Sequence, residues 1–493
     1  MRKLGWMLLS ALLLTFMPAL GLGQTRALLI ACKEFVTQPD LGSATSGNLH
    51  MIGSAFVGAG LRGPDLSIED GTIGTVEALG AAMQDAFSGA QEDDLSILYL
   101  CTHGILSSSD DEQVYLLLGD GQTESPLGAS ELYGLLSGIQ GEKLVILDAC
   151  YSGALIGRGR PDQPLLPGTR GTPPPVPSPF LADPSIHVLT SANGHESSWY
   201  YDGEGLSNGA VSYFASALSS GLGLYGTAEA DADGDGRVTL GELQRYLSIA
   251  VPSSSSQLLS ARADSLLLPV ATGSMLSRPL SGFSYGSSLL IADEPVLDFS
   301  FTVTQSAAVQ YRLVTFQRGR WNWDSAVTFL DEGDDESGAL LPGRKTRSLT
   351  LSDIAPADSG YLMLQIFSVA GDEVILCSER LIAVQPDADG ARLSIACPER
   401  FDIACTGQLP IDVHVDVPAE ITVSVFDAQG ALVRRLASSQ LTRPSLGGLT
   451  QLYWDGRDAQ GRPVPEGDYT VAAETLVGSA RQKAVTDVSV VSG

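Results

Sequence analysis

Ten residues, LVILDACYSG at positions 144–153, restrict the fold of this chain more than any others. Leu144, Val145, Ile146, Leu147 and Ala149 form an apolar run interrupted only by Asp148, with Glu142-Lys143 before it and a Ser152-Gly153 break after it. A short branched run without polar alternation has both faces buried, the condition of a parallel strand covered by helices on both sides. In such open sheets the functional side chains stand just beyond the carboxyl ends of the strands. Cys150 holds that position. A second run, LSILYLCTHG at 95–104, ends in His103-Gly104 and places an imidazole at a neighbouring strand end.

The surrounding segments agree with this reading. RALLIACKEF (26–35) and IHVLTSA (186–192) are further buried strands. Thr72 to Phe87 sets Val76, Leu79, Met83 and Ala86 at spacings of three and four, one face of an amphipathic helix. Ser130 to Leu136 and Val211 to Leu218 predict short helices, and Asn48 to Gly60 is compatible with another. Alternating strands and helices predict an α/β fold with a mostly parallel sheet. From about Phe283 the pattern changes to alternating strands such as FSFTVTQ and YLMLQIFSV, and a second such segment starts near Leu393. The expected organisation is a leader at 1–23, an α/β domain at 24–275, and two β-sandwich, Ig-like domains at 283–390 and 395–493.

Charge narrows the partners. Lys+Arg 29 against Asp+Glu 57 gives a net charge of −28, which opposes nonspecific binding to nucleic acid or anionic lipid. The first residues, MRKLGWMLLSALLLTFMPALGLGQ, have the basic start, apolar centre and small-residue end of a secretory signal, with cleavage expected after Gly21 or Gly23. No other stretch approaches the ~20 apolar residues of a spanning helix. The expected location is therefore outside the cytoplasm: extracellular, periplasmic or on the cell surface, with no membrane span after removal of the leader. Of six cysteines, Cys397 and Cys405 close a short loop and are the best candidate bridge. Cys32 and Cys101 end adjacent strands and either pair or stay as buried thiols.

Cys150 and His103 are the residue types of a cysteine peptidase, which needs a thiolate nucleophile and an imidazole to protonate the leaving amine. Gly104 permits close approach of a substrate, and the amides of Gly104 and Cys150 are candidate oxyanion donors. Asp148 lies two residues before Cys150 and so shares its face of the strand. A carboxylate there favours a basic substrate side chain, Arg above all by bidentate pairing. A Cys101–His103–Cys150 zinc site lacks an evident fourth ligand.

These residues resemble a family. TRALLIACKEF, QEDDLSILYLCTHG, KLVILDACYSG, HVLTSANGHES and LSNGAVSYFASAL look like successive landmarks of the caspase-like and metacaspase-like cysteine peptidases, over about Arg26 to Ser248. The resemblance implies a caspase–haemoglobinase sandwich with His103 and Cys150 as the dyad, needing no cofactor for the chemistry. It implies cleavage after basic residues, since metacaspases carry an acidic residue where caspases carry an amide. One departure stands out: Cys101-Thr102 precede His103 where the family usually has Ser-Gly. The loop from Arg158 to Arg170, with Arg160 between, follows the nucleophile strand where relatives are cut, so self-cleavage there is expected, with these arginines exposed.

DADGDGRVTLGE, 231–242, follows the spacing of a calcium loop, with Asp231, Asp233, Asp235, the Arg237 carbonyl and Glu242 as ligands. Calcium is the one ion the sequence implies, in a structural or activating role. The segment from about Pro410 to Val488 resembles the Ig-like module of the flagellar hook-capping family and carries no catalytic cluster; a spacer or surface-attachment role is expected. Together these readings give a secreted cysteine endopeptidase acting on proteins or peptides, its oligomeric state open. The rival is an inactive caspase-like surface-binding or adhesion protein.

Overall fold

The computed structural model describes residues 23–107, 114–159, 178–201, 210–291, 295–351, 360–370, 373–385, 391–403, 407–444, 449–477 and 480–491. The proposed leader and Cys405 therefore lie outside the described residues, as do Arg160 and Arg170.

Strands β1 (Thr25–Ala31), β2 (Leu66–Asp70), β3 (Leu95–Cys101), β7 (Glu142–Asp148), β8 (Ile186–Thr190) and β11 (Gln257–Leu259) form one six-stranded sheet in the order β11-β8-β7-β3-β1-β2. Five strands are parallel, and only β11 runs against its neighbour β8. Alternate side chains feed two cores, as the unbroken apolar runs require. Leu29, Ile97, Tyr99, Leu144 and Ile146 pack under α1 (Ser43–Gly58), α4 (Tyr213–Gly221) and α5 (Leu240–Ala250). Leu28, Ile30, Leu98, Val145 and Leu147 pack on the other side with α2 (Val76–Ala86) and α3 (Ala129–Leu136). Such side chains each contribute roughly 1.5–3 kcal/mol by leaving water. Helix α2 starts where Thr75 accepts from the Ala78 amide at 3.1 Å, and α5 starts on a reciprocal Thr239–Glu242 capping box.

Two differences from the sequence reading matter. The small antiparallel sheet β4 (His103–Leu106), β5 (Val114–Gly119) and β6 (Glu124–Leu127) was not anticipated, and it places His103 on a strand of its own. Arg158 is buried rather than exposed. Of the two readings of Cys32 and Cys101, the structure has the buried free thiols, held in opposite cores by the alternation of side chains across the sheet.

The rest of the chain is antiparallel. A middle sandwich packs a three-stranded sheet against a sheet ending in the edge strand Arg320–Leu330, around Phe299, Phe301, Leu313, Leu364 and Ile382. A C-terminal sandwich follows, with Trp454 fully buried and its larger sheet ending in the edge strand Leu432–Leu441. Among the described residues no helix is long and apolar enough to cross a membrane.

Because Leu29 has no solvent exposure and lies on β1 between β3 and β2, Leu29→Ala should lower the stability of the α/β domain by about 2–5 kcal/mol. Denaturant titration followed by circular dichroism checks this. A midpoint unchanged from the parent would show that Leu29 does not contribute to the core.

Candidate active site

Strands β3 and β7 end together, with Cys101 registered against Asp148. The chain leaving β3 then crosses the end of β7: the Thr102 amide donates to the Asp148 carbonyl at 3.2 Å, and the Thr102 hydroxyl donates to the Leu117 carbonyl. That crossing delivers Gly104 onto Cys150. A Cβ at Gly104 would lie 1.7 Å from the Cys150 carbonyl oxygen, so only glycine permits the approach. His103 and Cys150 therefore lie on two segments whose backbones touch at Gly104.

The imidazole of His103 is half-buried, packed on the Phe35 ring at 4.7 Å between centroids, with Nε2 2.8 Å from the Pro39 carbonyl. A carbonyl only accepts, so Nε2 is the donor in this bond. Pro39 acts through a backbone atom, which no sequence pattern announces.

Cys150 begins a tight turn. Tyr151 takes a left-handed conformation (φ 57°), uncommon for a residue with a side chain, and the short 3-10 segment Ser152–Ile156 follows. The loop after β8 holds this turn in place. Ser191 accepts from the Ala149 amide at 3.1 Å, the Tyr151 amide donates to Glu196 at 2.9 Å, and the Gly153 amide donates to Ala192 at 3.0 Å. The half-buried Cys150 Sγ lies 3.7 Å from the Ser198 carbonyl.

Asp148 lies just beneath, 4% exposed. Its carboxylate accepts from Asn48 Nδ2 (3.3 Å), Tyr99 Oη (2.9 Å), Ser212 Oγ (2.5 Å) and Ser198 Oγ (3.1 Å). All four donors are neutral, and no cation among the described residues pairs with it. Burial pushes its pKa up, against the pull of these hydrogen bonds. Sequence reasoning found Asp148 but not its partners. Tyr99, a polar ring in an otherwise aliphatic buried strand, was the one available signal. Cys101 is buried in the α1-side core and accepts from Asn48 Nδ2 at 3.3 Å, and its thiol pKa is pushed well up by burial and by Asp148. Among the described residues no Cys101–His103–Cys150 metal cluster forms.

Arg158 corrects the expectation of an exposed cleavage site. It is 8% exposed because the C-terminal sandwich covers it. Its guanidinium donates to the Gln408 side chain and, at 3.0 Å, to the Leu258 carbonyl, and it lies 3.9 Å from the centre of the Tyr453 ring. Gln408 in turn donates to the Ile156 carbonyl at 3.0 Å, so the sandwich grips the segment that follows the nucleophile. Burial lowers the Arg158 pKa to about 10.

In the acidic loop, the carboxylates of Asp231, Asp233 and Asp235 converge to within 4.8 Å of one another. Asp231 accepts from the amides of Gly234 and Gly236, and Asp235 from that of Arg237. Glu242 stands outside this cluster, its carboxylate accepting from the Thr239 amide and hydroxyl at 2.9 Å each. Three acidic residues thus fit a hard cation, and the capping box holds the fourth. No helix enters the loop, since α4 ends at Gly221.

Residues 11–162, which include His103 and Cys150, match the CHAT domain family, a caspase-like group, and residues 402–479 match the FlgD Ig-like domain. Among solved structures, caspase-1 from Spodoptera frugiperda is similar at 15% identity and a TM-score of 0.32, covering 52% of this chain and 92% of its own. A Geobacter sulfurreducens protein is similar at 14% identity and a TM-score of 0.32, covering 48% and 92%. A tandem-repeat segment of a large adhesion protein is similar at 16% identity and a TM-score of 0.18, covering 43% and 49%. Comparison with curated proteins gave no match.

Replacing Arg158 with Met should remove the Gln408 and Leu258 bonds and cost roughly 1–3 kcal/mol, seen as a lower denaturation midpoint. Trypsin acting on the folded parent should spare the bond after Arg158, and rapid cleavage there would contradict its burial. The chain thus joins an α/β domain similar to the caspase-like CHAT family to a C-terminal module similar to the FlgD Ig-like domain.

Proposed function

We propose that the protein is an exported cysteine endopeptidase that cleaves polypeptides after Arg or Lys. At the level of the family, the CHAT match supports a caspase-like cysteine peptidase. The observation that supports the proposal is the packing of Gly104 onto the Cys150 carbonyl, which brings the backbone of the His103 segment against that of Cys150. In the reaction Cys150, as thiolate, attacks the carbonyl carbon of the scissile bond. The C–N bond breaks, His103 gives a proton to the departing amine, and water then hydrolyses the thioester. The amides of Gly104 and Cys150 are the donors for the oxyanion.

Asp148 supplies the specificity in this reading. A buried carboxylate held by neutral donors alone lacks a countercharge, and a substrate guanidinium or ammonium provides one. Self-cleavage, if it follows the same rule, falls at Arg160 or Arg170 rather than at the buried Arg158. Calcium bound by Asp231, Asp233 and Asp235, with the Arg237 carbonyl and without Glu242, belongs to the same proposal as a structural ion. Export rests on the basic, apolar and small-residue pattern of positions 1–23.

Reporter peptides ending in Arg, Lys, Asp and Gln test the proposal under reducing conditions. The Arg and Lys reporters should turn over, and Cys150→Ala and His103→Ala should abolish turnover. Asp148→Asn should lower kcat/KM for the Arg reporter roughly 100-fold, since the pair it removes is desolvated. Absence of turnover from every reporter would favour the inactive, surface-binding alternative. For the ion, added calcium should raise the melting temperature of the parent but not of an Asp231→Ala/Asp233→Ala variant. A melting temperature indifferent to calcium excludes the site.

A further inference from the structure

A cavity of about 1210 Å³ opens between the α/β domain and the two sandwiches. It begins one residue from the nucleophile: Trp199 lines it, and the preceding Ser198 touches Cys150 Sγ through its carbonyl. Two properties of its walls point to what it holds.

The first is charge. Seven arginines line the cavity against four carboxylates, in a chain of net charge −28. Three of those carboxylates are already engaged: Asp455 with Arg434, Asp264 with Arg245, and Glu196 with the amides of Asn193 and Ser255. Arg158 and Arg443 are spent on neutral partners, Arg443 on four backbone carbonyls of the segment 248–254. Arg312, Arg320 and Arg435 remain: Arg312 stacks on the Phe367 ring at 4.9 Å, and among the described residues none of the three has an ion-pair partner, with Asp324 the one other carboxylate in the lining. The second property is backbone. Both sandwiches present an edge strand to the cavity, Arg320–Leu330 from one and Leu432–Leu441 from the other. Edge strands expose unpaired amides and carbonyls that an extended chain can pair with. Trp323, on the first of these edges, is 45% exposed, and Trp199 opposite is 56% exposed.

We infer that this cleft binds an extended acidic segment of the polypeptide substrate, so that the enzyme selects a basic cleavage residue lying near a run of Glu or Asp. The inference rests on the peptidase reading for its occupant, and on the cleft alone for its chemistry. Paired edges supply affinity without sequence preference, the free arginines select acidic side chains, and the tryptophans cover apolar ones between them. The two sandwiches then serve as a specificity wall for the active site rather than as a spacer.

Internally quenched peptides share one central Arg and carry either four Glu or four Gln on one side of it, with both sides tried. On the favoured side the Glu peptide should show a KM about tenfold lower at low salt, with kcat little altered and the advantage lost in 0.5 M NaCl. In Arg320→Glu/Arg435→Glu the ratio of kcat/KM between Glu and Gln peptides should fall to near one. A binding arm separates this inference from the peptidase reading. Labelled Glu peptide should bind the Cys150→Ala protein by fluorescence anisotropy whether or not the parent turns anything over. Equal KM values for both peptides, with no binding to Cys150→Ala, overturn the inference while leaving basic cleavage intact. A dimer in sedimentation velocity that Arg320→Glu dissociates also overturns it, by showing the cleft filled with a second copy of the chain.

Discussion

The carboxylate of Asp148, buried at the carboxyl end of the inner strand β7, organises the groups around it. Desolvation opposes a charge in that position, and four neutral hydrogen bonds offset it. Each comes from a different part of the chain: Asn48 from α1, Tyr99 from β3, Ser212 from the start of α4, and Ser198 from the loop after β8. Ser212 also caps α4, accepting from the Ala215 amide at 2.9 Å, and its own amide donates to Asn48 at 2.8 Å. Fixing one carboxylate therefore fixes the junction of two helices and the loop whose carbonyl meets the Cys150 thiol. A low local dielectric strengthens such a network when it is complete and makes any missing member costly.

The second dependence runs between domains. The nucleophile turn is held on one side by the loop 191–198 and on the other by the C-terminal sandwich, through Arg158, Gln408 and Tyr453. Arg443 adds a similar tie, reaching from the same sandwich to carbonyls in the last turn of α5 and just after it. The sandwich thus contacts the segment behind the thiol through buried, charge-assisted bonds, which are stronger than neutral ones. A module that reads as an appendage in sequence packs against the segment that follows the nucleophile.

Much of the α/β domain was legible because its strands are buried on both faces, and that condition leaves an unmistakable apolar run. The strand ends at His103 and Cys150 followed from the same runs. What escaped was whatever depends on backbone or on distance. Pro39 contributes only its carbonyl. The β5 strand at Val114–Gly119 carries an apolar run as clear as that of β8 and was overlooked, while its antiparallel pairing with β4 leaves no local signal. Arg158 sits among glycines and prolines that signal an exposed loop, yet its partner Gln408 lies 250 residues away, beyond the reach of local pattern. The cleft between the sandwiches has no sequence signature, because its arginines come from three separate regions.

The central claim is that Cys150 and His103 work as one unit on a basic substrate. It is tested most directly by a peptidyl ketone ending in Arg that alkylates an activated thiol, with the adduct mapped by mass spectrometry. A single stoichiometric adduct should form on Cys150, lost in His103→Ala and slow with the Asp-ending analogue, while the buried Cys32, Cys101 and Cys377 stay unmodified. An adduct that forms equally fast in His103→Ala, or none on Cys150 at all, would contradict it.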